Sequence, residues 1–327
     1  MQARRALTIP LYLALTVLLT IFSPALLIGS WLLSWIPGFR GAVPTGLFIL
    51  SYCWCETAGI AASFYLWLRH RDQDDFLRAN YRLQCWWANA LKRSAERLFG
   101  LQFDISGERA LSGQGAIVLP RHTSIADTVI PMVFYAIPRQ ISLRYVLKKE
   151  LLFDPCLDIV GNRLPNYFVD RGGQDTSRAI AGVAALMDNL PADAGLLLYL
   201  EGTRFTPRKL ETLRLRWSTR PELLEQLDRW PHLLPPRLGG IQAVLDANPG
   251  RDILFCAHVG FEGSSHFRNL VNGAWRHARI RIHFWRIPFA ELPIETTARR
   301  DFLFEQWDRM ERWVSLHQQA DQQTNGG

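Results

Sequence analysis

The chain has 327 residues, 48% of them hydrophobic and 20% charged, with a formal net charge of +7. That hydrophobicity excludes a disordered chain, and the charged fraction lies below the roughly 25% usual in soluble domains. Five scattered cysteines with no CxxC pair exclude a disulfide scaffold or a thiolate metal site, and a pI near 9.4 points to an anionic partner.

No charged residue falls between Arg5 and Arg40, and between residues 41 and 68 only Glu56 is charged. About 20 apolar residues cross a bilayer core as a helix, so each run is long enough. Arg4 and Arg5 ahead of an apolar stretch have the form of a secretory signal, but the stretch is far too long and no convincing small-residue cleavage site follows. Residues 1–70 are therefore expected to form a membrane hairpin of two hydrophobic helices. Arg4 and Arg5 precede the pair, Arg69, Arg71, Arg78 and Arg82 follow it, and only Arg40 lies between. By the positive-inside rule both ends are cytoplasmic, most naturally at the plasma (inner) membrane. Pro10, Pro24 and Pro37 can kink or end the first helix, which leaves a re-entrant pair as the alternative to a spanning one. Glu56 is costly in an apolar helix and is expected to be an interior or interfacial carboxylate with a partner the sequence does not name.

Over residues 71–99, apolar and aromatic positions (Phe76, Leu83, Trp86, Trp87, Leu91) alternate with arginines and a lysine. This is the pattern of a basic amphipathic helix suited to the headgroup layer, or of a surface helix packed on a domain. Residues 100–293 read as α/β. Short apolar runs at 116–119, 144–147, 167–169, 196–200, 253–257 and 280–287 have the length of buried strands, with helical patterns at 175–190 and 241–247. The expected fold is a mixed sheet with flanking helices, preceded by the transmembrane hairpin. Residues 294–327 supply a last helix, over 297–317, and a polar tail.

Four motifs follow strands or turns. His122 and Asp127 follow the first strand of this region; a histidine there suits general-base work, although Ser124-x-x-Asp127 also has the form of a capping box, a purely structural reading of Asp127. Glu201-Gly202-Thr203-Arg204 follows the most apolar strand, and its arginine can grip a phosphate. Asp170-Arg171 ends the strand at 167–169, and Pro235-Pro236-Arg237 makes a rigid turn before two glycines.

In their order and rough spacing, His122-x4-Asp127, Phe168-Val169-Asp170-Arg171, Glu201-Gly202-Thr203-Arg204 and Leu234-Pro235-Pro236-Arg237 resemble the four blocks of the glycerolipid (lysophospholipid) acyltransferase family. The likeness is closest to 1-acylglycerol-3-phosphate acyltransferases and covers about residues 99–293. It implies that His122 is the general base and Asp127 its orienting partner. Arg171, Arg204 and the Gly202 backbone would hold the acceptor phosphate, with Glu201 and Thr203 shaping the glycerol pocket; Asp170, Pro236 and Arg237 complete the substrate-binding set. The implied reaction is direct attack of a lysolipid hydroxyl on an acyl thioester, without an acyl-enzyme. No cofactor or metal is implied; the co-substrate is acyl-CoA or an acyl carrier protein thioester.

His258, His266, His277 and His283 show no ligand spacing and read as structural, and Cys156 has no local histidine to activate it. Residues 204–220 carry six Arg or Lys against one carboxylate, and residues 268–286 carry five arginines and none. With two apolar spans beside them, these patches favour membrane phospholipids over nucleic acid as the partner. The expected function is conversion of lysophosphatidate to phosphatidate. The alternatives are acylation of a headgroup-bearing lysophospholipid, a non-catalytic lipid-binding protein on the same fold, and a hydrolase.

Overall fold

A computed structural model describes residues 2–69, 72–170 and 176–325. In chain order the elements are α1 (Gln2–Leu33), α2 (Ala42–Arg69), α3 (Gln73–Phe99), β1 (Gln102–Ser106), β2 (Ile117–Pro120), β3 (Ser142–Lys148), α4 (Pro155–Gly161) and β4 (Tyr167–Val169). They continue with α5 (Thr176–Ala184), β5 (Ala194–Leu197), α6 (Pro207–Arg216), α7 (Pro221–Arg229), α8 (Leu238–Asp246), β6 (Ile253–Val259), β7 (Arg279–Ile287) and α9 (Thr296–Asn325). The chain divides into two compact units. The first comprises Met1–Gln102, Met132–Gln174 and Phe267–Ala278; the second comprises Phe103–Pro131, Asp175–His266 and Arg279–Gly327.

The second unit is built on strands in the order β1-β7-β6-β2-β5. β2 runs parallel to both β5 and β6, while β7 runs antiparallel to β6. Every residue of β2, β5 and β6 is buried, which is why their sequences are continuous apolar runs and not alternating ones. Trp285 of β7 stacks on Phe255 of β6 at 5.0 Å and donates its indole N–H to Gln306 of α9. Trp307 of α9 is fully buried. Loops that follow neighbouring parallel strands meet at the carboxyl ends of those strands, where α/β sheets place their ligands. β2 and β5 are such neighbours, and the backbone N–H of Phe205 donates to the carbonyl of His122 at 2.6 Å.

The sheet with flanking helices is the expected architecture, with differences at its margins. β1 was not anticipated, because the short polar-apolar run Gln102–Ser106 lies at the sheet edge and is only half-buried. The basic stretch 204–220 contains α6, and α7 follows directly after it; each helix opens on a proline at its first turn. The last helix runs on through the polar tail to Asn325.

The first unit holds α1–α3, α4 and the parallel pair β3–β4, in which Val146 faces Tyr167. α1 continues through Pro10 and Pro24. Its Leu7, Leu11, Leu18, Phe22 and Trp31 are each more than 50% exposed, a contiguous apolar surface of the kind that soluble monomers do not leave to water. α3 opens on Asp72, whose carboxylate accepts from the N–H groups of Asp74 and Asp75 at 3.0 Å, and closes on Gly100 at φ +70°. Glu56 has its partners here: the Trp87 indole donates to one oxygen at 2.6 Å and the Cys156 N–H to the other at 3.2 Å.

Both ends of α1 are tied within this unit. At its start, Arg4 and Arg5 donate to the fully buried Asp158 carboxylate at 2.6 and 3.0 Å. Beyond its end, in the loop before α2, the Gly41 N–H donates to the Val271 carbonyl at 2.9 Å, and Arg276 reaches the Arg40 carbonyl at 3.4 Å. Burial would raise the Asp158 carboxyl, but the hydrogen bonds from Arg4 and Arg5 hold it below the usual carboxylate range. A depressed carboxyl pKa adds stability above the unfolded value, which is lost as pH falls through the folded one. Asp158→Asn is therefore expected to lower stability by roughly 1–3 kcal/mol at neutral pH, with the deficit shrinking as pH falls below about 4. Thermal denaturation in detergent across that range measures it.

Candidate active site

β2 ends on Pro120, and the chain turns through Arg121 and His122 into a tight loop that brings Asp127 back under the imidazole. His122 Nδ1 lies 2.9 Å from Asp127 Oδ2. The same oxygen accepts the backbone N–H groups of Thr123 at 2.6 Å and Ser124 at 2.8 Å, while the Ser124 hydroxyl donates to Oδ1. Ser124 Oγ in turn accepts the Ala126 N–H at 3.0 Å. Asp127 thus closes the turn as a cap does and also holds the histidine ring. The structural and chemical readings of this residue hold together. Nδ1 carries its proton toward the carboxylate, which makes Nε2 the basic nitrogen of the ring. The Tyr199 ring stacks on the imidazole with centroids 4.1 Å apart.

Asp127 is fully buried. Burial alone would raise its carboxyl, but His258, His122 and Ser124 outweigh it and hold the group below the usual range. It is an anion in a place where water does not reach. His258, on β6, puts Nε2 3.3 Å from Asp127 Oδ1.

The Glu201–Arg204 loop follows β5. Glu201 is buried, with Oε1 accepting the His122 N–H at 2.6 Å and Oε2 accepting the Leu234 N–H at 3.0 Å. One carboxylate therefore spans two of the four motif loops. Burial pushes its pKa up to about 8 against the pull of those two N–H donors and Arg121. Gly202 has φ +66°, and a Cβ there would lie 2.7 Å from Arg237 Cδ, so glycine is required by conformation and by space. Arg237 is held over it by its own N–H, which donates to the Leu200 carbonyl at 2.8 Å; Pro236 beside it is buried. Thr203 Oγ1 accepts from Lys209 Nζ at 2.8 Å, and the half-buried Arg204 spends one N–H on the Ser265 carbonyl at 2.5 Å.

Around this lie residues the motifs do not contain. Arg121 is fully buried, donating to the His258 carbonyl at 2.7 Å, the Glu262 carboxylate at 2.5 Å and the His232 carbonyl at 3.1 Å. From α9, Trp307 donates to the Leu234 carbonyl at 3.1 Å, and Glu311 accepts from the His232 backbone N–H at 3.0 Å. A polar residue inside a wholly apolar strand, such as His258 in Ile253–Val259 or Tyr199 after Leu196, is the sequence signal for such neighbours.

The second unit thus gathers His122, Asp127, Glu201, Gly202, Thr203, Arg204, Pro236 and Arg237. Asp170 belongs to the first unit, where it is exposed and pairs with Lys149 at 3.0 Å; Arg171 lies outside the described residues. Among the described residues, no group of His, Cys, Asp and Glu side chains has the make-up of a metal site.

Glu201→Gln offers one carbonyl oxygen to two N–H donors, so one buried N–H loses its acceptor, at about 1–3 kcal/mol. A raised carboxyl pKa means that the folded chain binds more protons than the unfolded chain between 4.5 and about 8. Stability from this group is therefore present at low pH and lost as pH rises through that window. Melting curves are expected to show the variant below the wild type at pH 5, with the gap narrowing toward pH 8.

Comparison with known proteins agrees with this architecture. Residues 102–248 match the family model Acyltransferase. No curated protein sequence matches the chain significantly. Among solved structures, the fold is similar to the crystal structure of the 1-acyl-sn-glycerophosphate (LPA) acyltransferase PlsC from Thermotoga maritima. The TM-score is 0.55 and the identity 14%, over 85% of this chain and 98% of that one. Residues 102–248 are thus an acyltransferase domain, and the chain carries it on a fold similar to that of the glycerophosphate acyltransferase structure.

Proposed function

We propose that the chain is a membrane-bound O-acyltransferase that moves a fatty acyl group from an acyl thioester to the free hydroxyl of 1-acyl-sn-glycerol-3-phosphate, giving phosphatidate. The observation that carries this reading is the buried His122–Asp127 pair, 2.9 Å apart at the carboxyl end of β2, with the Glu201–Arg204 loop hydrogen-bonded beside it. An alcohol is a poor nucleophile at neutral pH and needs a base at hand. His122 Nε2 takes the hydroxyl proton as the oxygen attacks the thioester carbonyl carbon. The new C–O bond forms, the C–S bond breaks, and the proton passes from the imidazole to the departing thiolate. Asp127 fixes the ring's orientation and balances its transient positive charge. Arg204 keeps donors beyond the one given to Ser265, and with Arg237 over Gly202 it offers the cations that a phosphate monoester needs. The donor is acyl-CoA or an acyl carrier protein thioester.

The apolar surface of α1 supports attachment to a bilayer, and the arginines flanking the two apolar helices favour placing the acyltransferase domain on the cytoplasmic side. A lysolipid that never leaves the bilayer is then met by the enzyme at the interface.

His122→Ala is expected to cut transfer by at least ~100-fold, the low end of general-base contributions. The test is turnover of labelled acyl-CoA by purified, folded variant across a panel of lysolipids; near-normal activity would remove His122 from the mechanism. Asp127→Asn should lose less activity but more stability, since it also breaks the turn. For Arg204→Lys, the charge stays and the planar fork goes, so the Michaelis constant for lysophosphatidate should rise about tenfold or more, with that for acyl-CoA little changed. An equal rise for both substrates in a destabilised protein would make Arg204 a structural partner of Ser265 alone.

A further inference from the structure

The Asp127 carboxylate is shared by two imidazoles. His122 Nδ1 approaches Oδ2 at 2.9 Å, and His258 Nε2 approaches Oδ1 at 3.3 Å from β6. His258 Nε2 is also 3.2 Å from the Arg121 carbonyl. A ring nitrogen between a carboxylate oxygen and a carbonyl oxygen must carry a hydrogen, because a bare nitrogen there would set lone pairs against lone pairs. The tautomer is therefore fixed as Nε2–H. The opposite nitrogen, Nδ1, is buried and has no hydrogen-bond partner among the described residues.

His258 is fully buried. The groups that face it are the Asp127 carboxylate, the Arg121 guanidinium, the Glu262 carboxylate and the edge-on Phe261 ring; the Cys256 thiol, on the same strand, stands near Asp127 as well. Burial pushes the imidazole down, Asp127 and Glu262 pull it up, Arg121 pushes it down again, and the balance keeps it neutral. A second proton on Nδ1 would have no acceptor. His258 is thus a fixed neutral dipole, its N–H on the Arg121 carbonyl and its positive end 3.3 Å from Asp127 Oδ1.

We propose that His258 is a positioning residue of the acyl transfer: with its Nε2–H on the Arg121 carbonyl, the positive end of its dipole stands 3.3 Å from Asp127 Oδ1 and sets how strongly that carboxylate holds the proton on His122. A buried carboxylate with only His122 to lean on would favour the imidazolium and leave too little free base at neutral pH. With the Thr123 N–H, the Ser124 N–H and the Ser124 hydroxyl donating to the same anion, and the His258 dipole 3.3 Å away, its charge is already balanced in part before His122 draws on it. His258 touches neither the proton in flight nor the substrate; it acts through Asp127. The inference rests on the reading of His122 as the base.

The test is the pH dependence of kcat/KM for lysophosphatidate and acyl-CoA in the full chain, for wild type, His258→Leu, His258→Gln and His122→Ala, with melting curves for each. Leucine removes the donor at similar volume. Glutamine places an amide N–H near the position of Nε2. In His258→Leu the acid limb is expected to move up by about one pH unit, and kcat/KM on that limb to fall by up to about tenfold. In His258→Gln the limb is expected back near its wild-type position. An unmoved limb in His258→Leu, with only a lower melting temperature, would make His258 a packing residue and overturn the proposal. If the leucine variant does not fold, His258→Asn, whose amide is set back from the carboxylate, carries the same expectation of an upward shift. The His122→Ala arm separates the two readings: an active His122→Ala protein means the base is elsewhere, whereas an inactive one beside an unmoved His258→Leu limb defeats the His258 inference alone.

Discussion

One buried carboxylate decides where the rest of the site can be. Glu201 accepts the backbone N–H of His122 with one oxygen and that of Leu234 with the other, so three loops far apart in sequence share a single rigid pin. Because the contacts are to backbone, they fix the path of the chain and leave the His122 side chain to Asp127. Leu234 is held a second time by Trp307 of α9, and His232 by Glu311 of the same helix. The C-terminal helix thus reaches the site through main-chain groups of the Leu234 loop and, by Gln318, through the Glu262 carboxylate that pairs with Arg121. Distance from the reacting atoms is no guide to importance here.

Asp127 shows the same economy on a smaller scale. A turn of six residues needs something to satisfy its inward-pointing N–H groups, and the imidazole proposed as the base needs something to hold its ring; a single carboxylate does both. A cap on its own can be neutral or charged. A cap that also faces an imidazole in a dry interior must be an anion, and Arg121 with its partner Glu262 supplies the surrounding charge balance. The buried Arg121, directly before His122, closes this network onto β6 and the His232 loop.

Much of this was readable in the sequence because burial on both faces makes such strands unmistakable: β2 and β6 fall where continuous apolar runs predict them. The motifs that follow β2 and β5 were legible for the same reason. What escaped the sequence was polar and long-range. The partners of Glu56 are an indole 31 residues away and an N–H 100 residues away, and no local pattern announces either. His258 shows no ligand spacing, and only its setting in a strand with no other polar side chain marks it. The prolines at 207 and 221 look like breaks until the helices are seen to begin on them, at the one position where a missing N–H costs nothing. Glu201 reads as a pocket residue because it stands beside Arg204, and its inward turn is a consequence of which N–H groups come within reach.

The fastening of α1 at both ends has a bearing on what it costs the chain to cover that helix. A segment that is ordered only when it binds subtracts the cost of ordering from the gain. α1 leaves from the Asp158 anchor, and the loop that follows it comes to rest at Val271 of the same unit. Its length of roughly 48 Å is therefore laid out by contacts of its own protein. Leu7, Leu11, Leu18, Phe22 and Trp31 are exposed on a helix whose path is already set. Whatever apolar phase covers them gains their burial without having to fold the segment that carries them.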